Sequence, residues 1–110
     1  MKTTYRVLRV GKKLERRSVD LPDQPGLGAL RRVITPHLNG GRLEHVAVLH
    51  EGERRDMFVD ENGIEKGLPL NPEATAIYRN NTMTQYPETD PEKLPAIYGP
   101  AVLFDRRVWF

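Results

Sequence analysis

The sequence contains no cysteine, a single serine, a single tryptophan and no apolar run long enough to cross a bilayer. The absence of cysteine excludes disulfides, thiolate metal ligands and thiol nucleophiles, and it is typical of proteins in a reducing compartment. The one serine, Ser18, lies in a basic stretch without a glycine elbow, so acyl transfer has little support. We expect no targeting segment and a cytoplasmic protein.

The length of the chain predicts a single domain over residues 1–110. A chain of this size buries roughly two-thirds of the surface that its unfolded form exposes. We therefore expect a hydrophobic core that needs neither disulfides nor a metal ion. We find no internal repeat, low-complexity segment or linker.

Charge is distributed unevenly, although the net charge is only +2. Residues 1–55 hold 12 Lys and Arg against 6 Asp and Glu, whereas residues 56–110 hold 5 against 9. Twelve of the 17 basic residues are arginine, which favours planar partners such as carboxylate and phosphate. The two halves either neutralise each other within one fold or present a basic surface to a partner.

The first half predicts a β-hairpin followed by a helix. Residues 5–10 alternate as a strand, Gly11 and Lys12 form a turn, and residues 14–21 return. A helix then opens at residues 23–25, and its apolar positions, spaced by three and four, are Leu27, Leu30, Val33, Ile34 and Leu38. We expect Pro36 to tighten its last turn and residues 39–41 (Asn-Gly-Gly) to end it.

The second half predicts another hairpin, a second helix and a buried strand. Residues 43–49 and 55–59 form the hairpin around a turn at 51–53, and residues 60–63 reverse the chain again. Asn71 and Pro72 open the helix, with Glu73 favourable at its positive end and apolar residues at Ala74, Ile77 and Tyr78. Residues 101–104 form a buried strand, and the aromatic tail at 108–110 packs against the core.

No catalytic constellation, metal site or cofactor site is complete in the sequence. The acidic turn at residues 60–63 lacks the distal glutamate of a calcium loop, and His37, His45 and His50 have no ligand spacing. The glycine-containing segments match neither the dinucleotide fingerprint nor the phosphate loop. We therefore predict no catalytic residues, no metal and no cofactor.

Six basic residues crowd the first predicted hairpin and form a candidate site for nucleic acid or an acidic protein partner: Arg6, Arg9, Lys12, Lys13, Arg16 and Arg17. Arg16 and Arg17 point to opposite faces of a strand, so only part of the set can form one stripe. No recognition helix is evident. We expect a protein partner in preference to nucleic acid, and no contact with a membrane.

Four segments of the chain resemble a domain-of-unknown-function family of small bacterial and phage proteins: residues 40–46, 58–63, 66–76 and 97–104. The shared pattern runs through Glu61, Gly63, Lys66, Gly67, Leu68, Pro69, Asn71, Ala74 and Thr75. The chain departs from the commoner form at Glu65 and Lys66 and at the basic pair 106–107. The resemblance implies a small single-domain protein carried by phages or mobile elements, with no activity attached to it.

The run from residue 60 to residue 75 has two interpretations. In the structural one, its glycines supply unusual backbone conformations, Asn71 caps a helix and Ala74 permits close packing. In the functional one, Lys66 and the amides at the helix start form a ligand-binding pocket for an anion, oriented by Glu61 and Thr75. Glu61 and Lys66 are the residues that no turn or cap requires.

Together these patterns predict an α+β fold. A mostly antiparallel sheet is built from two hairpins and a C-terminal strand, with two helices packed on one face. The function that we expect is a small binding or regulatory protein that recognises a macromolecule. The alternatives are a nucleic-acid-binding protein that uses the basic hairpin, or an enzyme that acts on a small anionic ligand at residues 61–75.

Overall fold

A five-stranded antiparallel sheet organises the computed structural model, which describes residues 1–38 and 42–110. Along the chain its strands are β1 (Lys2–Leu8), β2 (Glu15–Asp20), β3 (Leu43–His50), β4 (Glu53–Asp60) and β5 (Ala101–Phe104). Their order across the sheet is β2-β1-β5-β4-β3. Each hairpin thus forms one side of the sheet, and β5 pairs with β1 and β4 to join the two hairpins.

The tight turn between β3 and β4 is formed by two residues with left-handed backbone conformations. Glu51 and Gly52 both have positive φ, +53° and +78°. This is the left-handed geometry whose twist matches two antiparallel strands, and glycine adopts it without a steric penalty. The predicted second hairpin is confirmed by the pairing of His50 with Glu53 on either side of the turn.

The two helices are α1 (Leu27–Ile34) and α2 (Pro72–Gln85). Pro36 tightens the end of α1 into a 3₁₀ turn at Thr35–His37, as its missing N–H predicts. The predicted end of this helix at residues 39–41 lies outside the described residues. A further 3₁₀ turn lies at Pro91–Lys93. Asn71 caps α2 as predicted, and the helix continues through its polar end to Gln85.

The helices lie on opposite faces of the sheet, which differs from the prediction that both pack on one face. Phe58, Val102 and Phe104 pack with α1, whereas their strand neighbours Met57 and Leu103 pack with α2. Successive strand residues point to opposite faces, so β4 and β5 bury both faces. Their unbroken apolar runs reflect this two-sided burial.

The α+β class and the antiparallel sheet of two hairpins and a C-terminal strand are confirmed. The sheet has an α1 face and an α2 face, each with its own layer of buried side chains. None of the helices in the described residues has both the length and the apolar character needed to cross a bilayer.

Candidate functional site

Lys66, predicted as a ligand-binding residue, forms an ion pair with the nearby carboxylate of Asp60. Its Nζ atom lies 2.7 Å from Oδ2 of Asp60, whose side chain is fully buried. The other oxygen, Oδ1, accepts a hydrogen bond of 2.9 Å from the backbone N–H of Asn62, which closes a local turn. Lys66 therefore neutralises a buried aspartate at the end of β4.

Both the oxygen and the nitrogen of the Asn71 side-chain amide bond to backbone groups of the fold. Its Oδ1 accepts from the N–H of Ala74 at 3.1 Å, which caps α2. Its Nδ2 donates to the carbonyl oxygens of Leu8 at 3.1 Å and Gly99 at 2.9 Å. One buried side chain thus joins the end of β1, the start of α2 and the segment that leads to β5.

Thr75 is also buried, one turn further along α2. Its Oγ1 accepts a hydrogen bond of 2.9 Å from the N–H of Ile97. The same hydroxyl donates to the carbonyl oxygen of Ile97 at 3.4 Å. Thr75 therefore fixes the segment before β5 against the helix.

The four predicted ligand-binding residues do not surround one space. Lys66, Asn71 and Thr75 are engaged as described, and Glu61 and Asn71 line two separate cavities. The Asn71 side chain caps α2 by accepting from the N–H of Ala74. This amide is one of those that the predicted anion pocket required. The turn, cap and glycine residues of the segment 60–75 thus serve chiefly to position α2.

A cavity of about 210 Å³ lies on the α2 face of the sheet, beside the edge strand β3. We call it the acidic cavity. Its floor comes from β3 and β4, its walls from α2 and from two loops, and its lining residues are Glu44, Val46, Val59, Asp60, Glu61, Gly63, Ile64, Tyr78, Pro95, Ala96, Ile97 and Tyr98. A side chain at Gly63 would overlap the carbonyl oxygen of Tyr98, so the two loops can meet only at a glycine.

Negative charge and aromatic surface meet in the acidic cavity. Glu44 and Glu61 are exposed, and neither makes an ion pair within residues 1–38 and 42–110. Tyr78 and Tyr98 are half-buried and add ring surface next to the apolar floor. Carboxylates and ring faces both attract cations, so this lining favours a cationic or amphipathic group over an anion.

The predicted basic hairpin is partly neutralised by carboxylates. Arg9 and Arg17 both pair with Glu15, with 2.7 Å between Nη1 of Arg9 and Oε2 of the glutamate. The hydrogen bond from Arg17, with a further one from Arg9, lowers the pKa of Glu15. Arg6 lies 2.8 Å from Glu51 through its Nη1 atom. These three arginines therefore bind carboxylates of the chain itself.

The other three basic residues of the hairpin, Lys12, Lys13 and Arg16, are exposed and make no ion pair with any described residue. Arg16 lies directly opposite Arg6 across β1 and β2, on the α2 face of the sheet. The exposed basic residues without an ion-pair partner among the described residues are thus half of the predicted set.

A buried contact that the sequence did not predict holds the tail against the sheet. Asp56, only 1% exposed, accepts hydrogen bonds through Oδ2 from the N–H groups of Val108 at 2.7 Å and Trp109 at 2.9 Å. Its Oδ1 lies 2.6 Å from Nε2 of His45, whose ring stacks on Trp109. The signal available in the sequence was an aspartate at an inward position of a strand. Of the predicted aromatic tail, Phe110 is 59% exposed.

Comparison with protein-family models, curated proteins and solved structures gave no match. The resemblance to a domain-of-unknown-function family therefore stays a prediction. Within the described residues, no three His, Asp or Glu side chains are grouped so as to hold a metal ion.

Proposed function

We propose that the protein is a small binding or regulatory protein that recognises a protein partner through the acidic cavity. The observation that carries this proposal is the pairing of two exposed glutamates with two half-buried tyrosines around one concave space: Glu44, Glu61, Tyr78 and Tyr98. Tyrosine is enriched in protein interfaces because its ring buries apolar area while its hydroxyl stays hydrated.

Several features of the cavity support binding rather than catalysis. Its lining consists of carboxylates, phenol groups, backbone and aliphatic side chains, an assortment suited to holding a partner's side chain. Asp60, the buried carboxylate of the lining, already pairs with Lys66. The cytoplasmic location and the phage or mobile-element origin belong to the same proposal, and they rest on the lack of cysteine and on the family resemblance.

Site-specific photo-crosslinking in the native host tests this proposal. Ile64 lines the cavity and is 70% exposed, so a benzoylphenylalanine at this position reaches a bound partner without disturbing the core. The matched control carries the same group at Leu14, which is 40% exposed beside the basic hairpin. We expect a crosslinked protein from position 64 that is resistant to nuclease and absent from position 14.

A charge-reversal pair assigns the crosslink to the cavity. Glu44→Lys with Glu61→Lys should abolish it, whereas Asp23→Lys with Glu88→Lys, the same change of net charge at two other exposed positions, should leave it unchanged. Crosslinks from position 14 alone that disappear with nuclease would instead assign the function to nucleic-acid binding by the hairpin. An unaffected crosslink in the Glu44 and Glu61 variant would contradict the proposal.

A further inference from the structure

The two edges of the sheet are protected very differently. The edge strand β2 carries Glu15, Arg16, Arg17 and Asp20 among its six residues. Charged side chains on an edge discourage pairing with another chain. The other edge strand, β3, is eight residues long and contains the uncharged run 46–49, Val-Ala-Val-Leu. Only the β3 edge is therefore suited to accept another strand.

Two hydrogen bonds establish which backbone groups of β3 face away from β4. The N–H of Leu49 points away from β4, because it donates to Oδ1 of Asn81 on α2 at 2.8 Å. The carbonyl of Arg42 points toward β4 and accepts from the N–H of Glu61 at 2.9 Å. Since direction alternates along an antiparallel strand, the N–H and C=O groups of His45 and Ala47 face outward. Within the described residues, no backbone or side-chain group bonds to them there.

The acidic cavity lies next to these outward-facing groups. Glu44 and Val46 alternate with His45 and Ala47 along β3, and both line the cavity on the α2 face. A strand added beside His45 and Ala47 directs every second side chain toward that face. The position closest to Glu44 and the cavity therefore suits a long cationic side chain with an apolar stem.

We propose that the β3 edge accepts an extended basic segment of a protein partner as a sixth strand, with a lysine or arginine side chain in the acidic cavity. This proposal rests on the proposed function and specifies its partner. Main-chain hydrogen bonds to His45 and Ala47 supply affinity, and the carboxylates of Glu44 and Glu61 supply selectivity, as in other cases of strand addition. Charge complementarity favours this occupant over a second copy, whose own β3 edge adds further carboxylates.

Defined peptides test both parts of the proposal. The probe is an acetylated and amidated heptapeptide in which lysine and valine alternate, and the comparison peptide has glutamate in place of lysine. We expect the lysine peptide alone to shift the amide NMR signals of His45 and Ala47 and to slow their hydrogen exchange. We expect Glu44→Lys with Glu61→Lys to weaken its binding by about tenfold, with Asp23→Lys and Glu88→Lys as the matched control.

Two N-methylated versions of the lysine peptide test strand addition itself. Methylation of one alternate set of amides removes the donors that face β3, and methylation of the other set leaves them intact. We expect one version to lose binding and the other to retain it. Equal binding of both would overturn strand addition while leaving the cavity as a binding site.

The remaining outcomes separate this proposal from the proposed function. A crosslink from position 64 together with no binding of the lysine peptide would overturn the basic segment but not the function. Slowed exchange of His45 and Ala47 that depends on protein concentration, without peptide, would assign the edge to a second copy and overturn the proposal. Absence of any crosslink from position 64 would count against the proposed function itself.

Discussion

Replacing Asp56 with alanine should detach the tail and lower the free energy of unfolding by about 3–5 kcal/mol. The substitution removes the acceptor of the Val108 and Trp109 amides and the partner of His45. Each buried donor left without a partner costs about 1–3 kcal/mol. The Val108 amide is buried and carries the full cost, whereas the partly buried Trp109 amide regains some hydrogen bonding from water.

Asparagine at position 56 provides a graded comparison. Its carbonyl oxygen can still accept from both tail amides, but the charge is lost, so we expect a smaller decrease of about 1–2 kcal/mol. Asp23→Ala, at an exposed aspartate whose side chain bonds to no described residue, serves as the control and should change stability by less than about 0.5 kcal/mol.

Urea unfolding followed by fluorescence and circular dichroism measures these changes. Trp109 is the only tryptophan, so its emission reports on the tail, whereas the far-ultraviolet signal reports on the whole fold. We expect the emission of Asp56→Ala to be shifted to the red before urea is added. If emission and unfolding midpoint both matched those of the unsubstituted protein, the carboxylate would not hold the tail and the reasoning would be refuted.

Two further predictions concern Asn71, at the start of α2, and His37, beside the α1 face of the sheet. Asn71→Ala removes a helix cap and the side-chain donor to two buried carbonyl groups, so we expect a loss of about 2–4 kcal/mol by urea unfolding, and a loss below about 1 kcal/mol would contradict the structural assignment. Burial, and then the nearby charges of Arg17 and Arg9, lower the pKa of His37 from its ordinary value of 6.5. Its neutral form is therefore favoured by folding, so the contribution of His37 to stability is complete above pH 6.5 and is lost as the pH falls through the folded pKa. An imidazole NMR titration with a midpoint at or above 6.5 would contradict this assignment.

The elements of this fold were largely predictable because their signals are local. The helix cap at Asn71 depends on a residue type and its next neighbour. The turn predicted at residues 51–53 depends on its glycine, and in the structure it is formed by Glu51 and Gly52 alone, because Glu53 already belongs to β4. The placement of the two helices on opposite faces could not be predicted from local signals. It depends on which faces β4 and β5 bury, and the apolar runs at 57–59 and 101–104 were consistent with burial on both.

The candidate site was less predictable because it depends on contacts between distant residues. Glu61 was identified because no turn or cap requires it, and it lines the acidic cavity. Lys66 was identified for the same reason, but its partner Asp60 could not be assigned from spacing alone. Glu44 and Tyr98 reach the cavity from segments more than 50 residues apart, so periodicity could not bring them together.

The central position of β5 has a consequence for how the chain is assembled during translation. The two hairpins do not pair with each other, and both depend on a strand that is synthesised after every other element described here. Until β5 emerges, β1 and β4 each present an unpaired inner edge flanked by apolar side chains. Such edges are prone to association between nascent chains, so we expect the yield of folded protein to be sensitive to the supply of chaperones.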